Sequence, residues 1–337
     1  MSEDSSILRP RRRLSVVSTN TAIEGVRKMT LSERKDSEEK FGGKADEKEK
    51  AVKCWYGESK RGYAPYNPRK VNQDSLLIHR LGKRIFLGTL DGHGEHGHHV
   101  SRTITDHFCK NIDSHVRGIT DTKDLAQKME TVFLAGEKIC INKNSISTEF
   151  SGTTNVTLCV TGNHLTVLNV GDSRAIVGRE DSSGKLTCSF ETKDQKPDSK
   201  GEKERIIAAG GRVFAVTYDD GIDGPARMWL GNMDVPGLAM SRSYCDGVAH
   251  SAGVISTGEV YEHDLSSDDK VMVIATDGLW EFMTNEEVLK IVNKYPLTEA
   301  GCRSAVSELI KVSNEIWLRE EQVIDDTTVI VAVLKVC

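Results

Sequence analysis

The 337-residue chain contains no run of ~18 consecutive apolar residues, so nothing in it is expected to span a membrane. Its opening residues, Met1-Ser-Glu-Asp-Ser-Ser6, lack the apolar centre of a signal peptide, and Ser2 stands where N-myristoylation needs glycine. Leu334-Lys-Val-Cys337 is a poor prenylation box. A basic excess is also missing. Lys and Arg number 45 against 50 Asp and Glu, a net charge of −5, so nucleic acid is not the implied partner. The eight cysteines form no Cys-x-x-Cys pair, and several lie in apolar runs, such as Cys159 in Val156-Thr-Leu-Cys-Val160. They read as reduced, mostly buried thiols of an intracellular protein, cytoplasmic or nuclear. No internal repeat is found, and a monomer is expected.

The length suits one large domain or two smaller ones, and 38% hydrophobic residues can form a substantial core. Residues 1 to about 50 are polar, charged and poor in aromatics, a composition expected to stay mostly disordered. Arg11-Arg-Arg-Leu-Ser15 within this tail resembles a basophilic kinase site at Ser15, or a solvated basic patch. From residue 51 a single globular domain is expected. Residues 71–79 and 84–90 read as strands, and 97–116 and 122–143 as helices with apolar stripes. Three strand-like runs follow at 152–160, 164–170 and 173–177, with Gly162-Asn163 as a tight hairpin turn. A short helix at 203–209 precedes an irregular excursion at 212–236. Residues 270–276 read as a strand, 285–293 and 298–319 as helices, and 327–336 as a last strand. Strands in two groups, each followed by two helices, favour an α+β fold with two antiparallel sheets inside and helices outside.

Acidic residues stand where these strands run out. Asp91 follows Arg84-Ile-Phe-Leu-Gly-Thr-Leu90 and opens Asp91-Gly-His-Gly94. A carboxylate at the end of a buried strand is costly unless paired or bound to a cation. Taken alone, this stretch is either a glycine-rich turn or a metal or proton-transfer site. Asp74, Asp172, Asp277, Asp325 and Asp326 lie at other strand edges, most of them far apart in sequence. Oxygen-only ligands suit Mg²⁺ or Mn²⁺, two of which about 3.5–4 Å apart activate a hydroxide. A zinc site built on His96, His98 and His99 is the rival, disfavoured because the remote candidates are all carboxylates.

Eight motifs occur in order: Asp91-Gly-His-Gly94, Ser151-Gly-Thr-Thr154, Asn169-Val-Gly-Asp-Ser-Arg-Ala175, Asp194-Gln-Lys-Pro197, Glu204-Arg-Ile with Gly210-Gly211, Leu238-Ala-Met-Ser-Arg242, Ala275-Thr-Asp-Gly-Leu-Trp280 and Asp325-Asp-Thr-Thr-Val329. The series resembles the metal-dependent protein phosphatase 2C family of serine/threonine phosphatases, in the style of plant and protist members, over roughly residues 53–336. The resemblance implies a four-layer α-β-β-α sandwich and hydrolysis of phosphoserine and phosphothreonine in phosphoprotein substrates by a water activated between two metals. It further implies that Asp91 bridges two Mg²⁺ or Mn²⁺ ions, with the Gly92 carbonyl, Asp277 and Asp325 as further ligands. His93 would protonate the leaving oxygen, and Arg69 would clamp the phosphate, with Arg61 as the alternative. Asp74 would sit beside the metals, Gln73 stands where many relatives carry a glutamate ligand, and Asp172 and Glu281 match the region of a third, weaker ion. The 212–236 excursion corresponds to a variable flap, whose Asp219, Asp220 and Asp223 would favour basic substrate flanks. Gln73 keeps a second reading open, a catalytically impaired phosphatase-like scaffold that binds phosphoproteins.

The chemistry fits these residue types on its own terms. Phosphate monoesters hydrolyse very slowly without catalysis. Metals supply a nucleophile and hold charge, a guanidinium fork matches phosphate, and an imidazole near neutral pKa protonates a poor leaving group.

Overall fold

The structure, a computed structural model, describes residues 39–44, 51–217 and 223–335. Ser15, the Thr21–Arg27 region, Asp219 and Asp220 lie outside them.

Two antiparallel sheets stack face to face. One has six strands in the order β1 (Glu39–Lys44), β2 (Val52–Lys60), β17 (Thr327–Leu334), β16 (Asp269–Ala275), β9 (Arg174–Glu180) and β10 (Leu186–Glu191). The other has five, in the order β15 (Glu259–Asp264), β8 (His164–Val170), β7 (Asn155–Thr161), β4 (Arg84–Leu90) and β3 (Ser75–Leu81). Helices α1 (Gly97–Val116) and α2 (Thr122–Ile141) cover the five-stranded sheet, and α5 (Asp277–Trp280), α6 (Asn285–Val292) and α7 (Glu299–Glu320) cover the six-stranded one. This is the four-layer α-β-β-α arrangement.

The period-two alternation of strands builds the layers. Every residue of β17 is buried. Val329, Val331 and Val333 point into the core beneath the α5–α7 side, while Ile330, Ala332 and Leu334 point into the core between the sheets. In β4, Ile85 and Leu87 face the inter-sheet core, and Phe86 and Leu90 face α1 and α2. Val100, Ile104, Phe108, Ile112 and Val116 form the buried stripe of α1. Phe108 stacks on Phe133 of α2 at a centroid distance of 4.3 Å. Asp121 caps α2, its carboxylate accepting from the backbone N–H groups of Lys123 and Asp124.

Three differences from the sequence reading have physical causes. The stretch assigned to the charged tail includes Glu39–Lys44, which forms edge strand β1 by backbone pairing with β2. Edge pairing needs no apolar side chains, and Phe41 is exposed. The strand Val52–Lys60 carries Cys, Trp, Tyr and Gly between charged residues and shows no clean alternation, although it is almost wholly buried. The 212–236 excursion is itself a small sheet of β11 (Arg212–Thr217), β12 (Asp223–Trp229) and β13 (Pro236–Leu238). With α3 (Glu202–Ala208) and α4 (Gly247–His250) it closes a separate apolar cluster containing Ile206, Met228, Leu238, Met240 and Ala249.

Candidate active site

The strand-end acids converge where the two sheets meet. Asp91 leaves β4 of the five-stranded sheet. Its N–H donates to Thr154 Oγ1 at 3.1 Å, and its carbonyl accepts from Thr153 Oγ1 and from the Thr154 N–H, each at 2.9 Å. The Ser151-Gly-Thr-Thr154 motif thus acts as a backbone clamp on Asp91. Asp277 opens α5 at the end of β16, and Asp325 precedes β17, so both hang from the six-stranded sheet. The Asp277 carboxyl lies close enough to Asp91 to oppose its ionisation. Asp74, just before β3, crosses between the sheets. Its Oδ2 accepts from Thr276 Oγ1 at 2.9 Å and Thr328 Oγ1 at 2.6 Å, while its Oδ1 is buried without a partner.

Crowding raises the affinity of these carboxyls for protons. Burial, then Asp277, Asp74 and Asp325, push Asp91 well above the usual carboxylate range. Burial and Asp326 do the same to Asp74. Burial lifts Asp325 to about 7, with Lys70 pulling down and Asp277 and Asp326 pushing up. Asp277 and Asp325 are only half-buried and form the solvent side of the cluster. The cluster is rich in oxygen donors, with repulsion that a small divalent cation would relieve, and it offers an unpartnered carboxylate oxygen. That donor set fits Mg²⁺ or Mn²⁺. No three Asp, Glu, His or Cys side chains are already gathered into ligating geometry among the described residues, so the fit is one of donor chemistry and charge.

Lys70 occupies part of this space, and sequence reasoning missed it. Its Nζ lies 2.5 Å from Asp326 Oδ2 and 3.7 Å from Asp325 Oδ1. Burial opposes the ammonium, but Asp326 and Asp325 outweigh it and keep it charged. Its neighbour Arg69 is exposed on the loop. Arg61 is half-buried on the same loop, its Nη1 donating to the Lys70 carbonyl at 3.3 Å. Two adjacent cations on a proline-containing loop give no sequence signal for which one turns inward.

The second acid of the Asp325-Asp326 pair has a structural task. Asp326 accepts the Gly62 N–H at 2.6 Å and the Gln73 N–H at 2.9 Å, fastening the 61–74 loop. The Gln73 amide donates to the Gly94 carbonyl at 2.6 Å. Gly94 has φ +78°, and a Cβ there would lie 2.0 Å from the Phe150 carbonyl oxygen. Asp172 is fully buried and paired with Lys196. Glu281 caps α5, its N–H donating to the Asp277 carbonyl.

His93 is buried and bonds through Nε2 to Asp246 Oδ2 at 2.6 Å, while its Nδ1 is buried without a partner. Burial disfavours the imidazolium, but Asp246, helped by Asp172 and Asp277, raises the His93 pKa above its ordinary value. Asp246 also accepts from Ser243 Oγ at 2.6 Å. It has a left-handed backbone, φ +51°, which aims its carboxylate at His93. A Cβ at Gly152 would fall 2.1 Å from Asp246 Oδ2, so the glycine of the Ser151-Gly-Thr-Thr154 motif is a space requirement. Asp246 is the second residue missed in sequence, because it sits in a turn rather than at an apolar strand end. The later histidines stand apart from the carboxylates. His96 Nδ1 accepts the Ser147 N–H at 2.8 Å, and His98 and His99 stack at 4.0 Å.

Two packed sheets whose loops bring carboxylates, a histidine and a lysine together define a hydrolase-type site on an α-β-β-α sandwich. Comparison with known proteins gives the family. Residues 69–313 match the family model for Protein phosphatase 2C. A rice protein named probable protein phosphatase 2C 73 is 34% identical, the match covering 75% of this chain and 66% of that protein. An Arabidopsis thaliana protein named probable protein phosphatase 2C 61 is also 34% identical, over 77% of this chain and 79% of its own length. A solved serine-threonine phosphatase 2C from Toxoplasma gondii shares the fold, with a TM-score of 0.69 at 21% identity, covering 88% of this chain and 99% of that one. The chain belongs to the protein phosphatase 2C family and is a protein phosphatase, a hydrolase.

Proposed function

We propose that the chain hydrolyses phosphoserine and phosphothreonine in proteins, in a reaction dependent on Mg²⁺ or Mn²⁺. The observation carrying this is the convergence of Asp74, Asp91, Asp277 and Asp325 from the strand ends of both sheets, with the acidities of Asp74, Asp91 and Asp325 weakened by burial and the neighbouring carboxyls. Asp91, the Gly92 carbonyl, Asp277 and Asp325 would hold two ions, with Asp172 and Glu281 toward a third. When bound, such ions supply positive charge against the phosphoryl oxygens and a water acidic enough to react near neutral pH.

The chain's own residues supply the rest. Asp326 and Gln73 hold the 61–74 loop, which carries Arg61, Arg69 and Lys70, against the site. Lys70 contributes a fixed charge, and Arg61 and Arg69 supply guanidinium forks at the rim, suited to a bidentate grip. His93 stands as the general acid for the departing serine or threonine oxygen, and Asp246 keeps it protonated and oriented. Gln73 has a hydrogen-bonding role without any charge, so its neutrality is compatible with turnover.

Purified protein is expected to hydrolyse a phosphothreonine peptide with Mn²⁺ and to stop on adding EDTA. Asp91→Ala and Asp277→Ala should each lower kcat at least ~100-fold. Full activity in either variant would overturn the assignment. Separate KM measurements on Arg69→Ala, Arg61→Ala and Lys70→Met identify the phosphate-holding cation.

A further inference from the structure

Cys245 lies on β14 (Tyr244–Cys245), the outer strand of a three-stranded ladder with β6 (Gly152–Thr153) and β5 (Gly92–His93). The registers put Cys245 opposite Gly152, and Gly152 opposite His93. Cys245 has φ +69°, a left-handed conformation that glycine adopts without strain and a side chain does not. Only three non-glycine residues among those described have positive φ, and Cys245 is followed directly by another, Asp246. The strained position carries a thiol, and that thiol meets a second one. Cys140, in the last turn of α2, lies in the same buried cluster, near enough to Cys245 for each thiol to perturb the other. Glu137, one turn earlier on α2, accepts the Cys245 N–H at 2.8 Å and fixes the approach.

We propose that Cys140 and Cys245 are a disulfide-forming pair whose oxidation by a peroxide displaces Asp246 and His93 and lowers the phosphatase activity. The effect on activity rests on the reading of His93 given above; the bond itself does not.

The Cys140 thiolate attacks one peroxide oxygen, the O–O bond breaks, and water leaves with a proton. The resulting sulfenic acid is attacked at sulfur by Cys245, which loses its proton, and hydroxide departs as a second water. Two thiols and one H₂O₂ become one disulfide and two waters. The neighbouring Cys245 thiol lowers the Cys140 pKa from its ordinary value, which suits Cys140 to the attacking role. Both thiols are buried, and Cys140 is followed by the exposed Ile141 at the helix end, so oxidation requires local opening of the last turn of α2. The sulfurs must close from contact to about 2.05 Å, so the β14 turn or the end of α2 has to shift. A displacement of about 1 Å at an acid catalyst costs up to ~100-fold in rate.

Cys54 on β2 and Cys302 on α7 form a second thiol contact and serve as a built-in comparator. Cys54 pairs with Val333, six residues along β17 from Thr327 at the site, a separation of about 20 Å.

The full chain is treated with hydrogen peroxide, digested under non-reducing conditions and mapped by mass spectrometry, with hydrolysis of a phosphothreonine peptide followed in parallel. A Cys140–Cys245 linked peptide is expected, with at least a tenfold loss of rate that tracks the linked fraction and reverses with dithiothreitol. Cys140→Ala should keep its basal rate and resist peroxide. Absence of the linked peptide after oxidation overturns the proposal, as does equal inactivation of Cys140→Ala. A reduced protein that hydrolyses nothing overturns the phosphatase reading alone, and the linked peptide then still decides whether the disulfide forms.

Discussion

Replacing Asp246 with Asn tests whether His93 acts as an acid. The His93 Nε2–Asp246 Oδ2 bond is 2.6 Å long, between side chains that are each 4% exposed. Asn has nearly the same size, tolerates the left-handed backbone at φ +51° and keeps an oxygen for Ser243 Oγ, so the turn should survive. It removes the charge that favours the imidazolium. A buried hydrogen bond to a charged group contributes about 1.5–3 kcal/mol. At a tenfold change per 1.36 kcal/mol, kcat on a phosphothreonine peptide should fall about 10- to 100-fold. An alkoxide needs that proton, whereas nitrophenolate leaves without help, so p-nitrophenyl phosphate measured in parallel should change by less than about threefold. Equal losses on both substrates, with an unchanged melting temperature, would show that Asp246 supports something other than proton donation. No loss on the peptide would remove His93 from the mechanism.

Other expectations follow from the charge and packing described above. Asp91→Asn removes a buried carboxyl whose ionisation is opposed by burial and by Asp277, Asp74 and Asp325. It should raise the melting temperature of metal-free protein, by about 2–4 °C for each kcal/mol relieved, and abolish the rise of about 5–10 °C expected for the wild type at 100 times the Mg²⁺ dissociation constant. Burial works against ionised Glu202, but Arg242, Arg205 and Ser241 outweigh it and hold its pKa at about 2. Asp269 is held at about 2 in the same way, by Arg179, Ser266 and Ser189 against burial. Carboxyls depressed in the folded state stabilise above their ordinary values of ~4 and lose that contribution as pH falls toward the folded value. Stability should therefore drop between about pH 4.5 and 2. Glu202→Gln should lower the melting temperature at pH 5, and the gap to wild type should narrow toward pH 2; a constant gap would contradict the assignment. Phe133→Ala empties a fully buried site between Phe108 and Tyr244 and should cost about 3–5 kcal/mol in urea unfolding.

The fold was legible wherever burial imposed a period. The α1 stripe recurs every four residues and β16 and β17 are continuous apolar runs, so the two helix-covered sheets could be read directly. Strands β1, β2, β10 and β15 escaped because backbone pairing and aromatic packing place them, and neither leaves an alternating pattern. In the site, Asp91 and Asp277 announced themselves as charges ending apolar strands. Lys70 did not, since whether it or Arg69 turns inward depends on Asp326 fastening the loop from more than 250 positions away. Asp246 was hidden because its role comes from a backbone conformation, and its partner His93 lies across two strands that are each two residues long.

The site straddles the seam between the sheets. Asp74 and Asp91 are carried by one sheet, Asp277 and Asp325 by the other, and Asp74 already ties the two through Thr276 and Thr328. Cations shared across that seam would therefore act mechanically as rivets as well as chemically. Loading should slow amide exchange at the mouth ends of β4, β16 and β17 and leave their far ends untouched, so the sandwich would record its own metal content as stiffness at one edge.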